Sequence, residues 1–362
     1  MTITDTNTVI VGAGIIGAVV AYNLAKNGDR PVLIDKDGPA AGITGASFGW
    51  LNAYNAGDRA YFDFRRRSMA EYKSLVEELD SSIDINWNGS LVWLDGDTES
   101  NGLVERLQVW GYPVEIVDEN RAGQLEPGLA TRPSRAFYAA EEGSVDPVSA
   151  TRSLMDAAIR LGAEFRFPSR VTGINIRNSR VTGVETDKGS VRCDTVVVAA
   201  GHGAETLCRQ VGFELPVTKS EALLVKTQQV GEVVRRVIAA PGVRLWQAAD
   251  GSILTCDDFD GSRLADRPND LAVELIDRAN RLVAFSEPLE VVEVMIGRRL
   301  LPGDGLPVIG EFASTGGLYL ALMHSGITLA PLAGRLIAGE ITSGIDQPQL
   351  MPYRPTRFSP AA

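Results

Sequence analysis

The chain has 362 residues, of which 44% are hydrophobic and 22% charged, and its formal net charge is −11. These proportions are those of an ordinary globular protein, and the length allows two domains or one large domain with an excursion. The acidic charge argues against a nucleic-acid partner and against an anionic membrane surface, because both would repel it. An anionic substrate stays compatible with this charge, since arginines can make one pocket locally positive.

The first predicted unit is a strand, a glycine turn, a helix and a second strand between Thr8 and Asp35. Thr8–Val11 is apolar enough for a buried strand, and the run GAGIIG at positions 12–17 follows it directly. In such a turn the first glycine permits the bend, the second lets backbone approach a pyrophosphate, and the third lets helix and strand pack closely. The helix N-terminus adds N–H groups and a partial positive charge.

Asp35 ends the second strand, where it can accept hydrogen bonds from both ribose hydroxyls of an adenine dinucleotide. An acid in this place disfavours the 2′-phosphate of NADP. The unit therefore predicts a bound ADP group, and by itself it leaves open whether the dinucleotide is NAD or FAD.

A loop of glycines and small residues, Lys36 to Trp50, follows the acid. It is too apolar for a solvated linker, so we expect its backbone to lie against a second part of the cofactor rather than to form an ordinary surface loop. A helix is predicted from Ala60 to Leu79. Its run of three arginines, at 65–67, is typical of a solvated helix face, and no ligand is assigned to it.

Between about Ile83 and Tyr138 short strands alternate with glycine, asparagine and aspartate, and one helix is predicted over Thr98–Trp110. This pattern is typical of an antiparallel sheet. It resumes from about Pro216 to Val294, with a helix near Asp270–Phe285.

Between those two regions the chain returns to its first domain. A helix over Val148–Leu161, stopped by Gly162, precedes four short strands. Thr195–Gly201 is then a second fully buried strand that ends in a small-residue turn.

The C-terminal segment has a strand, a turn and a helix of its own. Gly297–Gly310 is predicted to be a turn-rich loop, and Leu318–Leu322 a buried strand. A polar turn, Met323–Thr328, leads into a helix over Leu329–Ile341 whose Pro331 fits its first turn. This arrangement places a second helix N-terminus where it can bind an anion or a carbonyl oxygen.

Neither the cysteines nor the histidines form a recognisable site. Cys193, Cys208 and Cys256 are widely spaced, which matches no metal or redox motif. Two histidines without H-E-x-x-H predict no metal site. The chain shows no signal-peptide pattern, and no apolar run reaches the ~20 residues of a membrane helix. We therefore expect reduced thiols in a cytoplasmic protein without a membrane partner.

Five motifs in one order resemble the flavoproteins of the D-amino acid oxidase, glycine oxidase and sarcosine oxidase superfamily, and most of all its glycine oxidase-like members. They are the GAGIIG turn, the Thr44–Gly49 loop, the Val196–Gly201 strand and turn, the G-x-R…D-G-x-P-x-x-G pattern over Gly297–Gly310, and HSGITLAP from His324. The resemblance covers the whole chain. It implies FAD as the cofactor. The FAD is expected to be non-covalent, because the sarcosine branch attaches flavin to a cysteine near this pattern and none lies there.

The resemblance also implies a fold of α/β and α+β parts. A Rossmann-like FAD-binding domain is assembled from the separated segments 1–80, 145–215 and 297–362. A mostly antiparallel β-sheet substrate-binding domain consists of residues 81–144 and 216–296.

Site residues follow from the same resemblance. The predicted FAD-binding residues are Gly12, Gly14, Ile15, Ile16, Gly17, Asp35, Lys36, Thr44, Gly45, Ala46, Ser47, Val171, Ala200, Gly201, Gly326, Ile327 and Thr328. Val171 is expected to contact the adenine through its backbone. The last three residues are expected to place N–H groups near the O2 and N1 edge of the flavin, where a helix N-terminus stabilises negative charge on reduced flavin.

Arg299 is the predicted substrate-binding residue, because it is the arginine of G-x-R and its fork of donors suits a carboxylate. The alternative is a structural ion pair with Asp304 or Glu293. Leu300 departs from the family pattern, which has proline there.

His324 and Arg244 are further candidates for the substrate pocket. His324 stands where some glycine oxidases have an arginine, and it either touches substrate or flavin or is a satisfied histidine at a turn. Arg244 and Trp246 lie on a predicted strand of the substrate domain. Two arginines in one pocket would suit a substrate with a second anionic group.

The resemblance implies oxidation of the C–N bond of a small amino acid: glycine, an N-substituted glycine or other secondary amine, or a D-amino acid. A hydride equivalent passes to flavin N5, the imine hydrolyses to an oxo acid (glyoxylate for glycine types) and an amine, and O2 becomes H2O2. Two alternatives stay open. One is a dehydrogenase of the same family that passes electrons to a quinone or a partner subunit, and the other is a non-catalytic flavin-binding subunit of a complex.

Overall fold

A computed structural model describes residues 4–80, 82–94, 97–257, 264 and 267–358. The helices in this part are α1 (Ile15–Lys26), α2 (Arg59–Glu78), α3 (Asp97–Val109), α4 (Glu119–Leu125), α5 (Pro147–Arg160), α6 (Ala204–Gln210), α7 (Pro268–Leu282) and α8 (Gly326–Ser343). The strands are β1 (Thr4–Asp5), β2 (Thr8–Val11), β3 (Val32–Ile34), β4 (Trp50–Leu51), β5 (Ile85–Asn86), β6 (Ser90–Val92), β7 (Val114–Asp118), β8 (Arg135–Ala139), β9 (Gly143–Val145), β10 (Glu164–Arg166), β11 (Val171–Arg177), β12 (Arg180–Thr186), β13 (Gly189–Arg192), β14 (Thr195–Val198), β15 (Val217–Gln229), β16 (Val237–Ala240), β17 (Val243–Gln247), β18 (Ser252–Asp257), β19 (Val291–Pro302), β20 (Val308–Phe312) and β21 (Thr315–Leu322).

A ten-stranded sheet is built around five parallel strands in the order β21, β14, β2, β3 and β10. In its centre Val9 pairs with Val32 on one side and with Val196 on the other. Strands β2 and β3 are buried along their whole length, as continuous apolar runs are when both faces of a parallel sheet are covered. The carboxyl ends of β2 and β21 meet at one edge, and α1 and α8 begin there.

Alternate residues of the central strands enter two different cores. Ile10 and Val197 pack with helices α1, α2, α5 and α8 on one face of the sheet. Val9 and Val196 pack on the other face, with residues of β12, β20 and α6. The two-residue period of a strand produces this division.

The second large sheet has eight strands in the order β19, β15, β18, β17, β16, β6, β8 and β7. Its neighbours are antiparallel except for β16 and β6. One face, which includes Leu245, packs on α7. The other face carries Leu224, Trp246 and Met295, and Phe48 from the loop after β3 packs against it.

This architecture confirms the predicted fold class. The ten-stranded sheet takes strands from residues 4–34, 164–198 and 308–322, and the eight-stranded sheet from residues 90–139 and 217–302. Helices α4 and α6 are not among the predicted elements; each has seven residues, and helices this short depend on packing more than on propensity. Among the described residues, no helix has both the length and the apolar composition that crossing a membrane requires.

The sequence predicts a turn-rich loop from Gly297 to Gly310, which is wrong for its first part. Gly297 to Pro302 continues β19 and pairs with β15, so the predicted domain boundary between residues 296 and 297 falls inside one strand. Leu300, at the position of the family's proline, pairs with Lys219. A leucine there keeps the backbone N–H that a proline lacks, which suits a position inside a ladder.

Helix α8 begins at Gly326, three residues before the predicted start, so Pro331 lies in its second turn. Proline has no N–H to donate to the carbonyl four residues earlier, which is that of Ile327. The hydroxyl of Tyr72 on α2 donates to this carbonyl at 2.5 Å. A tertiary hydrogen bond therefore replaces the missing helical one.

Candidate active site

A cavity of about 2020 Å³ is lined by residues of both large sheets. Pockets for small molecules usually measure ~300–1,000 Å³, so this one has room for a dinucleotide together with a substrate. Of the residues predicted from the sequence to bind cofactor or substrate, only Gly17 is absent from its wall.

The glycine turn between β2 and α1 explains the exception. A Cβ on Gly17 would overlap the carbonyl oxygen of Gly12, so this residue is needed for packing between turn and helix. Gly12 has φ +112° and lies against the backbone of Ala199 at the end of β14. Gly14 is the N-cap of α1, with no side-chain capping bond. The first turn of α1 thus faces the cavity with its partial positive charge, and Thr44 takes the N–H of Ile15.

Asp35 is half-buried, and its carboxylate fixes the turn as well as facing the cavity. It accepts hydrogen bonds from the backbone N–H of Ala13 at 2.8 Å, of Asp37 at 2.7 Å and of Gly38 at 2.9 Å. A carboxylate has about four acceptor positions, so capacity for a ribose hydroxyl remains. Lys36 lies beside it at the surface and pairs with Asp37.

The small-residue loop packs between the two sheets. Thr44 is 5% exposed, and its Oγ1 accepts the N–H of Ile15 at 3.1 Å, which docks the loop on α1. A Cβ on Gly45 would lie 2.5 Å from Ala40 O, and one on Gly297 would lie 2.5 Å from Ile43 Cδ1. The loop backbone therefore approaches β19 as closely as a glycine allows.

The first turn of α8 also lines the cavity, and a Cβ on Gly326 would lie 3.6 Å from Ile16 Cγ1 of α1. Gly326, Ile327 and Thr328 are the first three helical residues, after the N-cap Ser325. The N–H of Gly326 donates to His324 O at 2.8 Å, so the N–H groups of Ile327 and Thr328 are the ones that a helix start leaves for a ligand. Thr328 Oγ1 donates to Trp50 O at 3.2 Å. His324 is exposed at the preceding turn.

Arg299 lies on β19 and is half-buried. Its Nη2 donates to Ser220 Oγ at 2.8 Å and to Glu221 O at 3.2 Å on the neighbouring strand β15. Residues 295, 297 and 299 share one face of β19. On that face Gly297 contacts the small-residue loop, and Met295 packs in the core that contains Phe48. The guanidinium therefore belongs to the cavity face.

Neither predicted alternative partner suits Arg299. Asp304 is held by Arg357, at 2.7 and 3.1 Å. Burial acts to raise the pKa of Asp304, but the Arg357 guanidinium and the backbone N–H of Leu306 together keep this pKa below its usual value. Glu293 is six residues along the same strand, about 20 Å away at ~3.3 Å per residue. Arg298 also lines the cavity, but its side chain is on the other face of the strand, 72% exposed and 3.4 Å from Glu221.

Arg244 lies on β17 opposite Cys256 of β18. It shares a face with Trp246, whose Nε1 donates to Phe48 O at 2.6 Å. Both arginines, 244 and 299, thus project from the same face of the eight-stranded sheet and line one cavity. Phe48, Trp50 and Tyr54 form a chain of ring contacts along it, with centroids 6.3 and 5.2 Å apart.

The expectation that the three arginines at 65–67 form a solvated face is wrong for Arg65. It is 5% exposed and lines the cavity. Its guanidinium donates to Asn52 O at 2.9 Å, Asn52 Oδ1 at 2.5 Å and Ser325 Oγ at 3.0 Å. Arg66 pairs with Glu141, and Arg67 is exposed. The helical turn carries Arg65 alone to the buried side.

A fully buried carboxylate, that of Glu142, supports the cavity wall and was not predicted. Its oxygens accept five hydrogen bonds, from Trp50 Nε1 (3.1 Å), Ala53 N (3.0 Å), Tyr54 N (3.1 Å), Ser90 Oγ (2.6 Å) and Tyr112 OH (3.1 Å). Burial raises the pKa of Glu142, and the bonds from these donors act in the opposite direction. Burial also raises the pKa of Tyr112, to which Glu142 adds. Glu142 thereby ties residues 50–54 to the eight-stranded sheet.

Replacing Glu142 by alanine is expected to lower the free energy of unfolding by about 3 to 5 kcal/mol, because buried donors left unsatisfied cost ~1–3 kcal/mol each. Urea unfolding of the FAD-saturated protein measures it. Glu141→Gln is the matched control: the Glu141–Arg66 pair is partly exposed (36% and 37%), so its loss should cost no more than ~1 kcal/mol. Equal destabilisation by the two variants would contradict this role of Glu142.

The residues present fit FAD. Gly14, without a Cβ, leaves space beside the first turn of α1, Asp35 follows the adjacent strand, and a second helix start, that of α8, lines the same cavity. Two N-termini in one cavity are suited to groups with negative charge. In the described part of the chain no group of histidine, cysteine, aspartate and glutamate side chains could hold a metal ion.

Comparisons with known proteins agree with this site. The family described as FAD dependent oxidoreductase (DAO) matches residues 7–340. Glycine oxidase from Pseudomonas aeruginosa is 28% identical over 350 residues, which span 93% of this chain and 94% of that protein. A subunit of opine oxidase from Agrobacterium tumefaciens is 25% identical over 376 residues, 98% of each chain. The crystal structure of glycine oxidase from Geobacillus kaustophilus aligns with a TM-score of 0.89 at 26% identity, covering 99% of this chain and 100% of that one.

These matches confirm the resemblance, the cofactor and the enzyme class predicted from the sequence. The family and its glycine oxidase members support FAD-dependent amine oxidation. The chain belongs to the DAO family of FAD-dependent oxidoreductases and is an FAD-dependent amino acid oxidoreductase.

Proposed function

We propose that the chain oxidises the C–N bond of a small amino acid whose carboxylate is bound by Arg299. The observation that carries this proposal is the position of Arg299 on the cavity face of β19, next to Gly297 and the loop that packs on it. A guanidinium can take a carboxylate through two parallel hydrogen bonds. The proposed substrates are glycine, an N-substituted glycine or other secondary amine, and a D-amino acid.

FAD, when bound, supplies the acceptor at N5 for a hydride equivalent from the carbon next to the substrate nitrogen. Arg299 orients that carbon by holding the neighbouring carboxylate. The nitrogen gives up its proton, the C–N bond becomes C=N, and water converts this imine to an oxo acid and an amine. For a glycine-type substrate the oxo acid is glyoxylate. Phe48, Trp50 and Tyr54 would keep other water away from the reacting carbon.

The proposed electron acceptor is O2, which becomes H2O2. The glycine oxidases among the relatives support it. The opine oxidase relative is named as one subunit of its enzyme. It supports the alternatives that need a second subunit, namely a dehydrogenase that passes electrons to a partner subunit and a non-catalytic flavin-binding subunit. A dehydrogenase that passes electrons to a quinone stays a further alternative.

Aerobic turnover by the purified, FAD-loaded chain separates these possibilities. The panel is glycine, sarcosine, N-ethylglycine, D-alanine and D-proline, with H2O2 and oxo acid measured together. We expect equal amounts of H2O2 and oxo acid from at least one substrate. Oxo acid formed only with an added artificial acceptor would favour the dehydrogenase, and no product with either acceptor would contradict oxidation of these amino acids.

Arg244 is proposed to bind a second anionic group on the substrate. Iminodiacetate, a secondary amine between two carboxylates, is a suitable probe. We expect Arg244→Met to raise KM for iminodiacetate by about 10- to 100-fold, the value of a hydrogen bond to a charged group, and to change KM for sarcosine by less than about threefold. Equal effects on both substrates would contradict the assignment. His324 is proposed to lie at the same pocket, at the start of α8.

The predicted FAD-binding residues are proposed to hold the cofactor without a covalent bond. The domain division at 1–80, 145–215 and 297–362 against 81–144 and 216–296 is proposed with them, with one change: β19 carries the last boundary from residue 296 to the end of the strand at Pro302. The lack of a cysteine between positions 297 and 310 supports non-covalent binding. Acid precipitation of the holoenzyme should release all FAD into the supernatant, whereas flavin retained in the pellet would contradict this mode of binding.

A further inference from the structure

Arg65 is a buried positive charge in the cavity wall. A guanidinium stays protonated at any physiological pH, and this one is only 5% exposed. Its three hydrogen bonds go to neutral acceptors, namely a backbone carbonyl, an amide oxygen and a hydroxyl. The ring of Tyr61 lies 5.4 Å from its central carbon.

Among the residues that the structure describes, no carboxylate forms an ion pair with Arg65. Its neighbour Arg66 has such a partner, Glu141 at 2.6 Å, although it is far more exposed. A charge removed from water is costly unless an opposite charge lies near it. The buried carboxylate of Glu142 accepts the N–H groups of Ala53 and Tyr54, next to Asn52, but no ion pair joins it to Arg65 in the described part of the chain. A negatively charged ligand in the cavity would therefore add a direct balancing charge at Arg65.

The contacts of Arg65 locate it at the start of α8. Its Nη1 donates to Ser325, the N-cap, and its other donors hold Asn52, whose N–H donates to Thr328 Oγ1 at 3.4 Å. Helices α1 and α8 start from the same edge of the ten-stranded sheet, after β2 and β21, with β14 between those strands. Strands lie ~4.8 Å apart, so the two helix starts are about 10 Å apart.

The distance between the two helix starts indicates which part of the cofactor faces Arg65. The glycine turn at α1 is the proposed pyrophosphate site, and a dinucleotide with its pyrophosphate there can reach α8 with its ring system. Two-electron reduction of a flavin with uptake of one proton leaves one negative charge on the ring system. A fixed cation beside that charge is already oriented before the electrons arrive.

We infer that Arg65 stabilises the negative charge of reduced FAD and thereby raises the reduction potential of the bound cofactor. The inference goes beyond the proposed substrate chemistry, because it depends on FAD binding and not on any substrate. The inference assigns to Arg65, the first of the three arginines at 65–67, a function that helical periodicity alone does not indicate.

The midpoint potential of bound FAD tests the inference directly, by dye equilibration without substrate. If the Arg65 guanidinium and the negative charge of the reduced ring system lie ~10 Å apart at an effective dielectric constant of ~20, their attraction changes the equilibrium constant for flavin reduction by about tenfold. Arg65→Met should therefore lower the potential by about 30 mV, which is a tenfold change for a two-electron couple. Arg65→Lys, which keeps the charge but not the fork of donors, should retain most of the wild-type potential.

Sulfite affinity and a surface control variant show whether the effect comes from the charge of Arg65 or from its hydrogen bonds. Sulfite forms a negatively charged adduct with oxidised flavin, so its affinity should fall about tenfold in Arg65→Met and little in Arg65→Lys. Arg66→Gln, at the surface pair with Glu141, should leave both the potential and the sulfite affinity unchanged. If Arg65→Met fails to hold FAD, Arg65→Gln replaces it.

An unchanged midpoint potential in Arg65→Met would overturn the inference. Equal falls of the potential in Arg65→Met and Arg65→Lys would also overturn it, because they would show that the hydrogen bonds of Arg65, and not its charge, set the potential. Failure to oxidise any amino acid would leave these results unaffected, since neither measurement uses a substrate.

Discussion

Replacing Arg299 by methionine is expected to lower kcat/KM for carboxylate-bearing substrates by about 100- to 1,000-fold. The variant removes a charge-assisted pair worth roughly 3–4 kcal/mol, and ~1.4 kcal/mol corresponds to a factor of ten. Methionine has a similar length and fills irregular space well, so the fold should survive. Lysine keeps the charge without the fork and should recover part of the loss. Steady-state kinetics and the anaerobic rate of flavin reduction measure both variants.

The adjacent arginine provides the control for this experiment. Arg298 also lines the cavity, but its side chain is on the other face of β19, 72% exposed and paired with Glu221. Arg298→Met should therefore change kcat/KM by no more than about threefold, as expected for a surface pair. Equal losses in the two variants, or none in Arg299→Met, would show that Arg299 does not bind the substrate.

Gly14→Ala is expected to raise the dissociation constant of FAD by at least about 100-fold. The residue has φ −77°, so alanine is sterically allowed by the backbone. Its Cβ would lie 2.9 Å from Thr44 Oγ1, which accepts the N–H of Ile15. It would also occupy the space in which backbone approaches a pyrophosphate. A loss of ~3 kcal/mol in binding free energy corresponds to that factor.

Titration of the apoprotein with FAD, followed by flavin fluorescence, gives the dissociation constant. Gly231→Ala is a matched control, because Gly231 is exposed and a Cβ there meets nothing within 4 Å. Circular dichroism of both apoproteins checks the fold. Wild-type affinity in Gly14→Ala would contradict the assignment of the glycine turn to the pyrophosphate.

The N-terminal unit could be predicted because its signals are local. Strand β2, the glycine turn, α1 and β3 form from one stretch of about thirty residues, and each glycine there has a steric reason that holds in any protein of this topology. The buried strands β14 and β21 were predicted for a similar reason, since uninterrupted apolar runs mark the centre of a parallel sheet. The order of the strands, by contrast, entered only through the family resemblance.

Arg65 and Glu142 could not be predicted, because their partners are distant in sequence. Arg65 bonds to Asn52, 13 residues away, and to Ser325, 260 residues away. Glu142 joins Trp50 and Tyr112, which are 92 and 30 residues from it. A charged residue on an amphipathic helix or at a turn is usually solvated, and only the packing of α2 on α8 makes Arg65 an exception.

The C-terminal segment shows a second limit of local reasoning. Proline and glycine between 297 and 310 predict turns, but pairing with β15 extends β19 to Pro302. Pro331 predicts a helix that starts close before it, whereas the hydroxyl of Tyr72 satisfies the carbonyl of Ile327 and lets α8 begin earlier. In both places a tertiary partner outweighs local propensity.

The most direct test of amino acid oxidation is an anaerobic absorbance titration of the FAD-loaded wild-type protein with glycine, sarcosine, N-ethylglycine, D-alanine and D-proline. At least one of them is expected to bleach the flavin bands, with one flavin reduced per molecule of imine formed, and readmitted air should restore the colour. Flavin bands that dithionite bleaches but that none of these amino acids changes would contradict the proposed function.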